Sequence, residues 1–400
     1  SILGNLLTKI QKKQKPLGHE DEDKEGRDQG FTYDEDDIDA ALRSLTVALE
    51  KLQKSMFSYT ESFLLFYKKM LSVTPITHSV AMANLIEGVA ALLKMIQANA
   101  GNKEFEKNYH EFFEVIHKRL QKNEIALVDL TKVIISEIGT LYAVADDILT
   151  PKEFEIAFKF LQKMDEILSE KKSVLTEEEE DEEEDEGEDK NYEDNNEKLE
   201  QTAEEQFALV ETLGNLVKHN LKLVREKFEK LVIAFYTSFL VNTDNLKKKT
   251  NYQIISFPVC DLFEFFTPDH PLVMKNLEMG FLPILEMGAT HPELQCRQTA
   301  SYAIGMFAKN SKSETFNKYQ HKLLGLLKHL GKPSGVVKSK GQSVNLDYID
   351  GAMESEEVKY MVDNIGGAYG NILKYHENTL NQSAIVNEWL RYLPLKADQP

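Results

Sequence analysis

The residues of this chain that could do chemistry begin with an acidic run. Residues 177–189 read EEEEDEEEDEGED, so twelve of thirteen positions carry a carboxylate. Such a run attracts basic partners through a long-range field that speeds association and that salt weakens. The candidate contacts to a basic partner are Glu177, Glu178, Glu179, Glu180, Asp181, Glu182, Glu183, Glu184, Asp185, Glu186, Glu188 and Asp189. The alternative is a solvated spacer that binds nothing, because many charge runs serve only solubility.

Motifs for metal or nucleotide chemistry are incomplete. His110 opens the string HEFFE, which begins like a zinc-protease helix, but Glu114 stands where the second histidine ligand is required. We therefore interpret His110 as a surface or interhelix histidine. The string GLLKHLGKP at 325–333 resembles a phosphate loop but has wrong spacing and a proline in place of the magnesium-binding hydroxyl. It predicts a helix end capped by Gly331.

Composition favours a soluble acidic protein that is not an enzyme. The net charge is −19, of which the twelve carboxylates of the acidic run account for all but about −7. The two cysteines, Cys260 and Cys296, lie in apolar helical contexts without metal-ligand spacing, which fits a reducing compartment. The longest apolar stretch, 231–241, is too short to cross a bilayer, and no signal peptide is evident. We predict no catalytic residues, no metal and no cofactor.

The elements that would position these residues are amphipathic helices. In the first clear example, Ile38, Leu42, Leu45, Leu49 and Leu52 recur at the three-and-four spacing that places one apolar stripe on one face. The same pattern predicts helices at 59–73, 78–99, 103–121, 125–145, 151–168, 200–220, 226–241, 252–266, 271–287, 293–309, 316–330, 356–375 and 385–392. Strand signals are nearly absent.

Two capping boxes support these helix starts. Thr150, Pro151 and Glu153 supply an N-cap, a first-turn proline and a glutamate three positions on. The segment beginning at Thr290 and ending at Glu293 repeats the pattern with its proline one place later. We expect helices to begin at both positions.

Paired helices recur at HEAT-repeat spacing. First helices begin near 38, 78, 124, 200, 251, 292 and 356, and without two inserted loops the period is about 40 to 47 residues. This predicts an all-α fold, an α-solenoid of about seven antiparallel helical hairpins with an acidic loop insertion. The predicted segments are the end of a preceding repeat at 1–18, an acidic linker at 19–37, HEAT repeats at 38–171, an acidic disordered loop at 172–198, HEAT repeats at 199–331, a flexible loop at 332–352 and a HEAT repeat at 353–400, where we expect the chain to be truncated.

Four segments together resemble the importin-beta superfamily of nuclear transport receptors. Residues 291–305, HPELQCRQTASYAIG, are similar to the HEAT first-helix pattern and to a stretch reading roughly PEVRQAAAYGLG in that family. Residues 259–266, VCDLFEFF, resemble the helix before it, and 363–374, DNIGGAYGNILK, resemble ENCISAVGKIMK of the next repeat. Residues 386–395, VNEWLRYLPL, are similar to LPxWLxxLPL. The best match is the carboxyl-terminal portion of the karyopherin beta-three branch, also called Ran-binding protein five.

This resemblance implies a carrier of basic cargo. It implies shuttling between cytoplasm and nucleus, cargo such as ribosomal proteins or histones with nuclear localisation signals, and binding to phenylalanine-glycine nucleoporins. It also implies release by the GTP form of Ran, mainly through an amino-terminal half of the receptor that this chain lacks. No membrane or direct nucleic-acid binding is expected.

The phenylalanines have two interpretations. They could line grooves for phenylalanine-glycine peptides, as the resemblance implies, or they could be core, which helical spacing favours. These residues are Phe63, Phe66, Phe112, Phe113, Phe154, Phe158, Phe160, Phe263, Phe265 and Phe266.

Two functions from other classes stay open. A HEAT scaffold, such as a phosphatase regulatory subunit, would share the fold without responding to Ran. An acidic histone chaperone would bind histones through the acidic run itself, also without nucleotide dependence.

Overall fold

The fold is known from a computed structural model, which describes residues 35–74, 78–121, 132–182, 189–241, 252–331, 337–339, 342–344, 356–376 and 382–393. The chain divides into two compact units, Ser1–Leu223 and Val224–Pro400. The predicted 1–18 segment and all but the last three residues of the predicted 19–37 linker lie outside the described residues.

The first unit consists of helices. They are α1 Glu35–Met56, α2 Thr60–Val73, α3 Ser79–Ala100, α4 Asn102–Gln121, α5 Lys132–Val144, α6 Pro151–Glu182, α7 Asp189–Lys218 and the short α8 Leu221–Leu223. Within this unit α1, α3, α5 and α7 pack one against the next and form a first layer. The intervening helices α2, α4 and α6 form a second layer in the same order. This alternation of stacked helices is the packing that helical-hairpin repeats require.

Helix α3 lies at the centre of the first unit. It packs against α1, α2, α4 and α5, so that almost no side of it faces water. Its apolar side chains therefore continue around the helix instead of forming one stripe. Among the described residues α3 is also the helix whose length and composition would allow it to cross a membrane, which the sequence prediction missed. Because 72% of its most apolar window is buried inside the unit, core packing explains that composition.

The second unit repeats this architecture with irregular turns. Its helices are α9 Glu229–Val241, α10 Tyr252–Asp261, α11 Pro271–Asn276, α12 Leu282–Thr290, α13 Leu294–Asn310, α14 Ser313–Leu330, α15 Glu356–Tyr375 and α16 Gln382–Leu390. Single π-helical segments at Val224–Phe228, Leu262–Phe266 and Leu277–Phe281 adjoin α9, α10 and α12. Helices α10, α13 and α15 stack as a first layer, and α12 packs on α14.

Helices α13 and α15 approach each other closely. A side chain at Gly305 would place its Cβ 3.3 Å from the Ala368 Cα, so glycine permits the contact. Two amides span the same interface: Asn371 donates to the Gly305 carbonyl at 3.1 Å, and Asn364 donates to the Gln298 carbonyl at 3.4 Å. The small residues of the motif that ends at Gly305 are therefore explained by packing.

The two predicted capping boxes have different outcomes. At Thr150 the backbone N–H donates to the Glu153 carboxylate at 2.9 Å, while the Glu153 N–H donates to the Thr150 hydroxyl at 3.3 Å, as predicted. The box at Thr290 is wrong, because Thr290 is the last residue of α12 and its hydroxyl donates back to the Glu286 carbonyl at 3.0 Å. Helix α13 begins only at Leu294.

Two predicted loops contain regular structure. Helix α6 continues to Glu182 and α7 begins at Asp189, so much of the predicted 172–198 loop has a helical backbone. Glutamate is a good helix former, and a helix already fixed by packing extends at little cost. Within the predicted 332–352 loop, strands β1 Val337–Ser339 and β2 Gln342–Val344 pair antiparallel, with Val337 opposite Val344. Three-residue strands are too short to produce a detectable alternation.

Candidate functional site

The acidic run is only partly within the described residues. The backbone of Glu177–Glu182 belongs to the last turns of α6, and Asp189 is the first residue of α7. The positions between them, Glu183, Glu184, Asp185, Glu186 and Glu188, lie outside the described residues. Their role as contacts to a basic partner stays a prediction.

A second acidic feature lies on the first layer of helices. Glu50 of α1, Glu87 of α3 and Glu137 of α5 occupy three consecutive helices of this layer, and we name them the carboxylate row. Each member acts electrostatically on the next: after burial, which is the larger cause, Glu50 raises the pKa of Glu87, and Glu87 raises the pKa of Glu137. The row therefore runs across three repeats rather than along one helix.

Glu137 is the most perturbed member of the carboxylate row. Burial, followed by repulsion from Glu87, raises its pKa from 4.5 to about 7. Its Oε2 atom is buried and has no hydrogen-bond partner among the described residues, although the Thr140 hydroxyl opposes the shift by hydrogen bonding. Glu137 is half-buried, and no ion pair among the described residues supplies the countercharge that a desolvated anion needs.

The carboxylate row has no ion pair among the described residues. Burial, followed by Glu50, raises the pKa of Glu87, and Arg43 opposes this shift only through space. Among the described residues no ion pair involves Glu50, Glu87 or Glu137. A lysine or arginine from another molecule could supply the missing positive charge.

Beside the row, carboxylates of α7 are already paired. Lys132 bonds to Glu204 at 3.4 Å, and Lys171 bonds to the buried Glu205 at 2.9 Å. Burial raises the pKa of Glu211, with Lys132 opposing it. Asp165 of α6 also has a raised pKa, about 6, through burial and then repulsion from Glu166, so the row is set apart by the position of its carboxylates on three consecutive helices.

Second-layer carboxylates form structural ties between helices. Lys68 of α2 pairs with Glu111 of α4, and this lysine lowers the pKa of Glu111, first through their hydrogen bond. His110 of α4 bonds through Nδ1 to Glu153 of α6 at 2.7 Å. The interhelix interpretation of His110 is therefore confirmed, and HEFFE is a packing surface.

The remaining sequence motifs also have structural roles. The ten phenylalanines are all buried, so the core interpretation is confirmed for each of them. Gly331 ends α14 as predicted, with its N–H donating to the Leu327 carbonyl at 3.0 Å. A Cβ at Gly331 would lie 1.9 Å from the Tyr392 hydroxyl, so glycine is needed here for space.

A cleft in the second unit is internally satisfied. It has a volume of about 290 Å³, and Arg225, Glu264, Thr267 and Asn310 lie among its walls. Arg225 donates to the Phe265 carbonyl at 2.7 Å, and the Thr267 hydroxyl donates to the Asn310 carbonyl at 2.6 Å. Its polar groups close the junction between helices instead of pointing at a ligand.

Sequence analysis missed two groups. The carboxylate row leaves no local signal, because its members are single residues on three helices far apart in sequence. The second group is His291, Glu293 and Cys296, whose potential ligand atoms lie within 4.8 Å of one another. These residues bridge a loop and the first turn of α13, a placement that the wrong capping assignment at Thr290 concealed.

Comparison with known proteins identifies the fold. No protein-family model matches the chain, and no curated protein sequence matches it. Among solved structures, the crystal structure of Kap121p matches with a TM-score of 0.57 at 16% identity. A Kap121p mutant with two aspartates and one glutamate replaced by lysine matches with a TM-score of 0.55 at 17% identity. Both matches cover 90% of this chain and 29% of the Kap121p chain.

The comparison confirms the predicted fold class. Kap121p is a karyopherin of the importin-beta family, and this chain shares its helical HEAT-repeat architecture. The match to that architecture extends over nine-tenths of this chain but under a third of the solved one. At this level of identity the likeness establishes the fold, and function follows from the site.

Proposed function

We propose that this chain is part of a nuclear transport receptor of the karyopherin-beta type that carries basic cargo through the nuclear pore. The observation that supports this most is the carboxylate row on a Kap121p-like fold: three carboxyl groups on consecutive repeats, none of which forms an ion pair among the described residues. The sequence resemblance to the karyopherin beta-three branch supports the same function, and this finer assignment stays a prediction.

The carboxylate row suits an extended basic segment. Its members lie on successive stacked helices, so a chain crossing that layer could place a lysine or arginine near each in turn. Every such contact would relieve the repulsion that now raises the pKa values of Glu87 and Glu137. Several modest contacts would give specificity for closely spaced positive charges.

The acidic run at 177–189 would serve a different step. Its high charge density would attract cargo from a distance and raise the association rate, while the carboxylate row would hold the bound segment. Ribosomal proteins and histones are basic enough to be such cargo. Phenylalanine-glycine nucleoporins and the GTP form of Ran complete the set of proposed partners, with shuttling between cytoplasm and nucleus as the proposed localisation.

A binding assay tests the proposal. A fluorescein-labelled Lys/Arg-rich peptide is titrated with the chain at low and at high salt, beside a peptide in which glutamine replaces every basic residue. Salt-sensitive binding of the basic peptide alone is expected. Equal binding of the two peptides, or no binding of either, would contradict basic-cargo recognition.

The histone chaperone is the alternative that the acidic run favours. Neutralising the twelve carboxylates of the run to glutamine and serine separates the two functions. A carrier that holds cargo at the carboxylate row should keep its equilibrium affinity within a few-fold and lose mainly association rate. A chaperone that binds through the run should lose histone binding altogether.

A further inference from the structure

The junction between α12 and α13 brings together three side chains with metal-binding atoms. His291 follows the last residue of α12, Glu293 is the N-cap residue of α13, and Cys296 lies in the first turn of α13. An imidazole nitrogen, a carboxylate oxygen and the thiol sulfur lie within 4.8 Å of one another. Two local hydrogen bonds link these residues: the Glu293 N–H donates to His291 Nδ1, and the Cys296 thiol donates to the Glu293 carboxylate.

The orientation of His291 is fixed by a local hydrogen bond. The Glu293 N–H donates to its Nδ1 atom at 3.2 Å, so Nδ1 carries a lone pair and the ring proton is on Nε2. In this orientation the Nδ1 lone pair faces Glu293. A metal ion bound to Nδ1 would replace the long, weak hydrogen bond from the Glu293 N–H.

Unsatisfied polar atoms mark the same place. His291 is only 9% exposed and Tyr252 only 2%, and their rings stack with centroids 5.5 Å apart. Neither the His291 Nε2 nor the Tyr252 hydroxyl has a hydrogen-bond partner among the described residues. Because Nε2 carries the ring proton, it is a donor and not a ligand atom, so an ion would be bound through the Nδ1 lone pair.

The three ligand types in this cluster favour zinc over magnesium and calcium. A thiolate, an imidazole and a carboxylate are the ligand types that zinc combines, whereas magnesium and calcium prefer oxygen alone. The Cys296 sulfur lies 3.7 Å from the Glu293 carboxylate oxygen. That separation is close to the roughly 3.5 Å edge expected between sulfur and oxygen ligands in a tetrahedral zinc site.

We propose that His291, Glu293 and Cys296 form a zinc-binding site with water as the fourth ligand. The thiol proton is released to solvent as the zinc–sulfur bond forms, so that thiolate and carboxylate together neutralise the ion. Pro292 and Glu293 are exposed, which gives the ion a route from solvent. This site is independent of the carboxylate row and of cargo binding.

Cobalt titration tests the site. Tag-free protein is stripped with a chelator and titrated with Co²⁺, whose bond to a thiolate produces a charge-transfer absorption band in the near ultraviolet. The band should saturate at one Co²⁺ per chain and disappear on addition of Zn²⁺. Absence of a thiolate band at millimolar Co²⁺ would overturn the proposal.

The second cysteine supplies a matched control. Cys260 of α10 is also buried, but its thiol contacts the Thr299 carbonyl and belongs to no such ligand cluster in the part of the chain that the structure describes. The band should be lost in Cys296→Ala, weakened in Glu293→Gln and retained in Cys260→Ala. Retention in Cys296→Ala with loss in Cys260→Ala would assign the metal elsewhere and overturn the site.

A measurement on the unchanged protein removes any dependence on variant folding. In weakly buffered solution, Zn²⁺ should release about one proton per ion bound, from the Cys296 thiol, while Mg²⁺ should release none. Proton release equal for the two ions, or none with Zn²⁺, would contradict thiolate ligation.

Discussion

The two helix layers of the first unit differ in the partners of several acidic residues, although Asp165 of second-layer α6 also has a pKa raised to about 6, by burial and then by repulsion from Glu166. In the second layer Glu111 is paired with Lys68, which lowers its pKa, and Glu153 bonds to His110. In the first layer Glu87 and Glu137 face other carboxylates, and their pKa values are raised. The second unit has the same kind of second-layer tie, between Lys318 and Glu278 at 2.7 Å.

This difference separates structural from functional charge. A carboxylate with its own cation ties neighbouring helices and needs nothing more. A carboxylate whose pKa is raised by burial and by like charges costs stability, and such groups concentrate at functional sites. The first layer of α1, α3 and α5 is therefore where we place the binding surface, and the second layer is where we place the framework.

The largest expected effect comes from neutralising the row. At pH 8, Glu87→Gln combined with Glu137→Gln should weaken binding of the Lys/Arg-rich peptide on the order of 100-fold, because two uncompensated charges are removed from the contact. Fluorescence anisotropy measures the affinity. Glu155→Gln combined with Glu166→Gln, at second-layer carboxylates paired with lysines of their own helix, is the matched control. An equal loss in both double variants would show that net charge alone drives binding.

The next-largest expected effect comes from adding a side chain between closely packed helices of the first layer. A Cβ at Gly139 of α5 would lie 2.8 Å from the Thr212 hydroxyl and 3.3 Å from the Thr212 Cα on α7. Gly139→Ala should therefore lower the free energy of unfolding by about 1–3 kcal/mol through overpacking. Urea denaturation measures it.

The matched glycine lies in the second layer of the second unit. A Cβ at Gly325 of α14 meets nothing within 4 Å, so Gly325→Ala should stabilise the protein by about 0.5–1 kcal/mol through helix propensity. If Gly139→Ala were equally stabilising, the first layer would not be packed as described.

Glu137→Gln should remove part of the pH dependence of the free energy of unfolding. The pKa of Glu137 is about 7 in the folded state and 4.5 ordinarily, so between these values the folded state holds more protons than the unfolded state. The free energy of unfolding therefore falls as pH rises from 4.5 to 7, and the loss remains above pH 7.

The glutamine variant removes that loss. It should exceed the unchanged protein by about 1 kcal/mol at pH 8, a figure reduced for solvent screening, and match it near pH 4. Urea denaturation at the two pH values measures the difference. A variant less stable at pH 8 would show that the Glu137 carboxylate is compensated after all.

The smallest expected change in stability comes from removing a second-layer ion pair. Glu111→Gln removes the charge of an exposed second-layer ion pair, which should change the free energy of unfolding by no more than about 0.5 kcal/mol and leave peptide binding unchanged. Calorimetry and anisotropy measure the two quantities. Loss of binding in this variant would move the binding surface to the second layer.

The sequence predicts the fold because its signals are local. Apolar spacing within single helices locates most of the helices, and the Thr150 box gives a helix start correctly, because both depend on residues within one or two turns. Burial of the phenylalanines follows from the same periodicity.

The carboxylate row escapes prediction because its members are brought together by packing. Glu50, Glu87 and Glu137 meet only when three repeats stack, and nothing around any one of them marks it. At Thr290 the residue types of a capping box are present, but α12 extends through Thr290 and uses its hydroxyl internally. Residue type alone does not show whether a residue between two helices ends the first helix or caps the second.

Ran binding by the full-length protein tests the account most directly. Its affinity is measured for Ran loaded with a non-hydrolysable GTP analogue and for Ran loaded with GDP, with the Lys/Arg-rich peptide already bound. We predict tight binding of the GTP form alone, accompanied by peptide release. Equal binding of both forms, or binding of neither, would contradict the transport-receptor function and leave a HEAT-repeat scaffold.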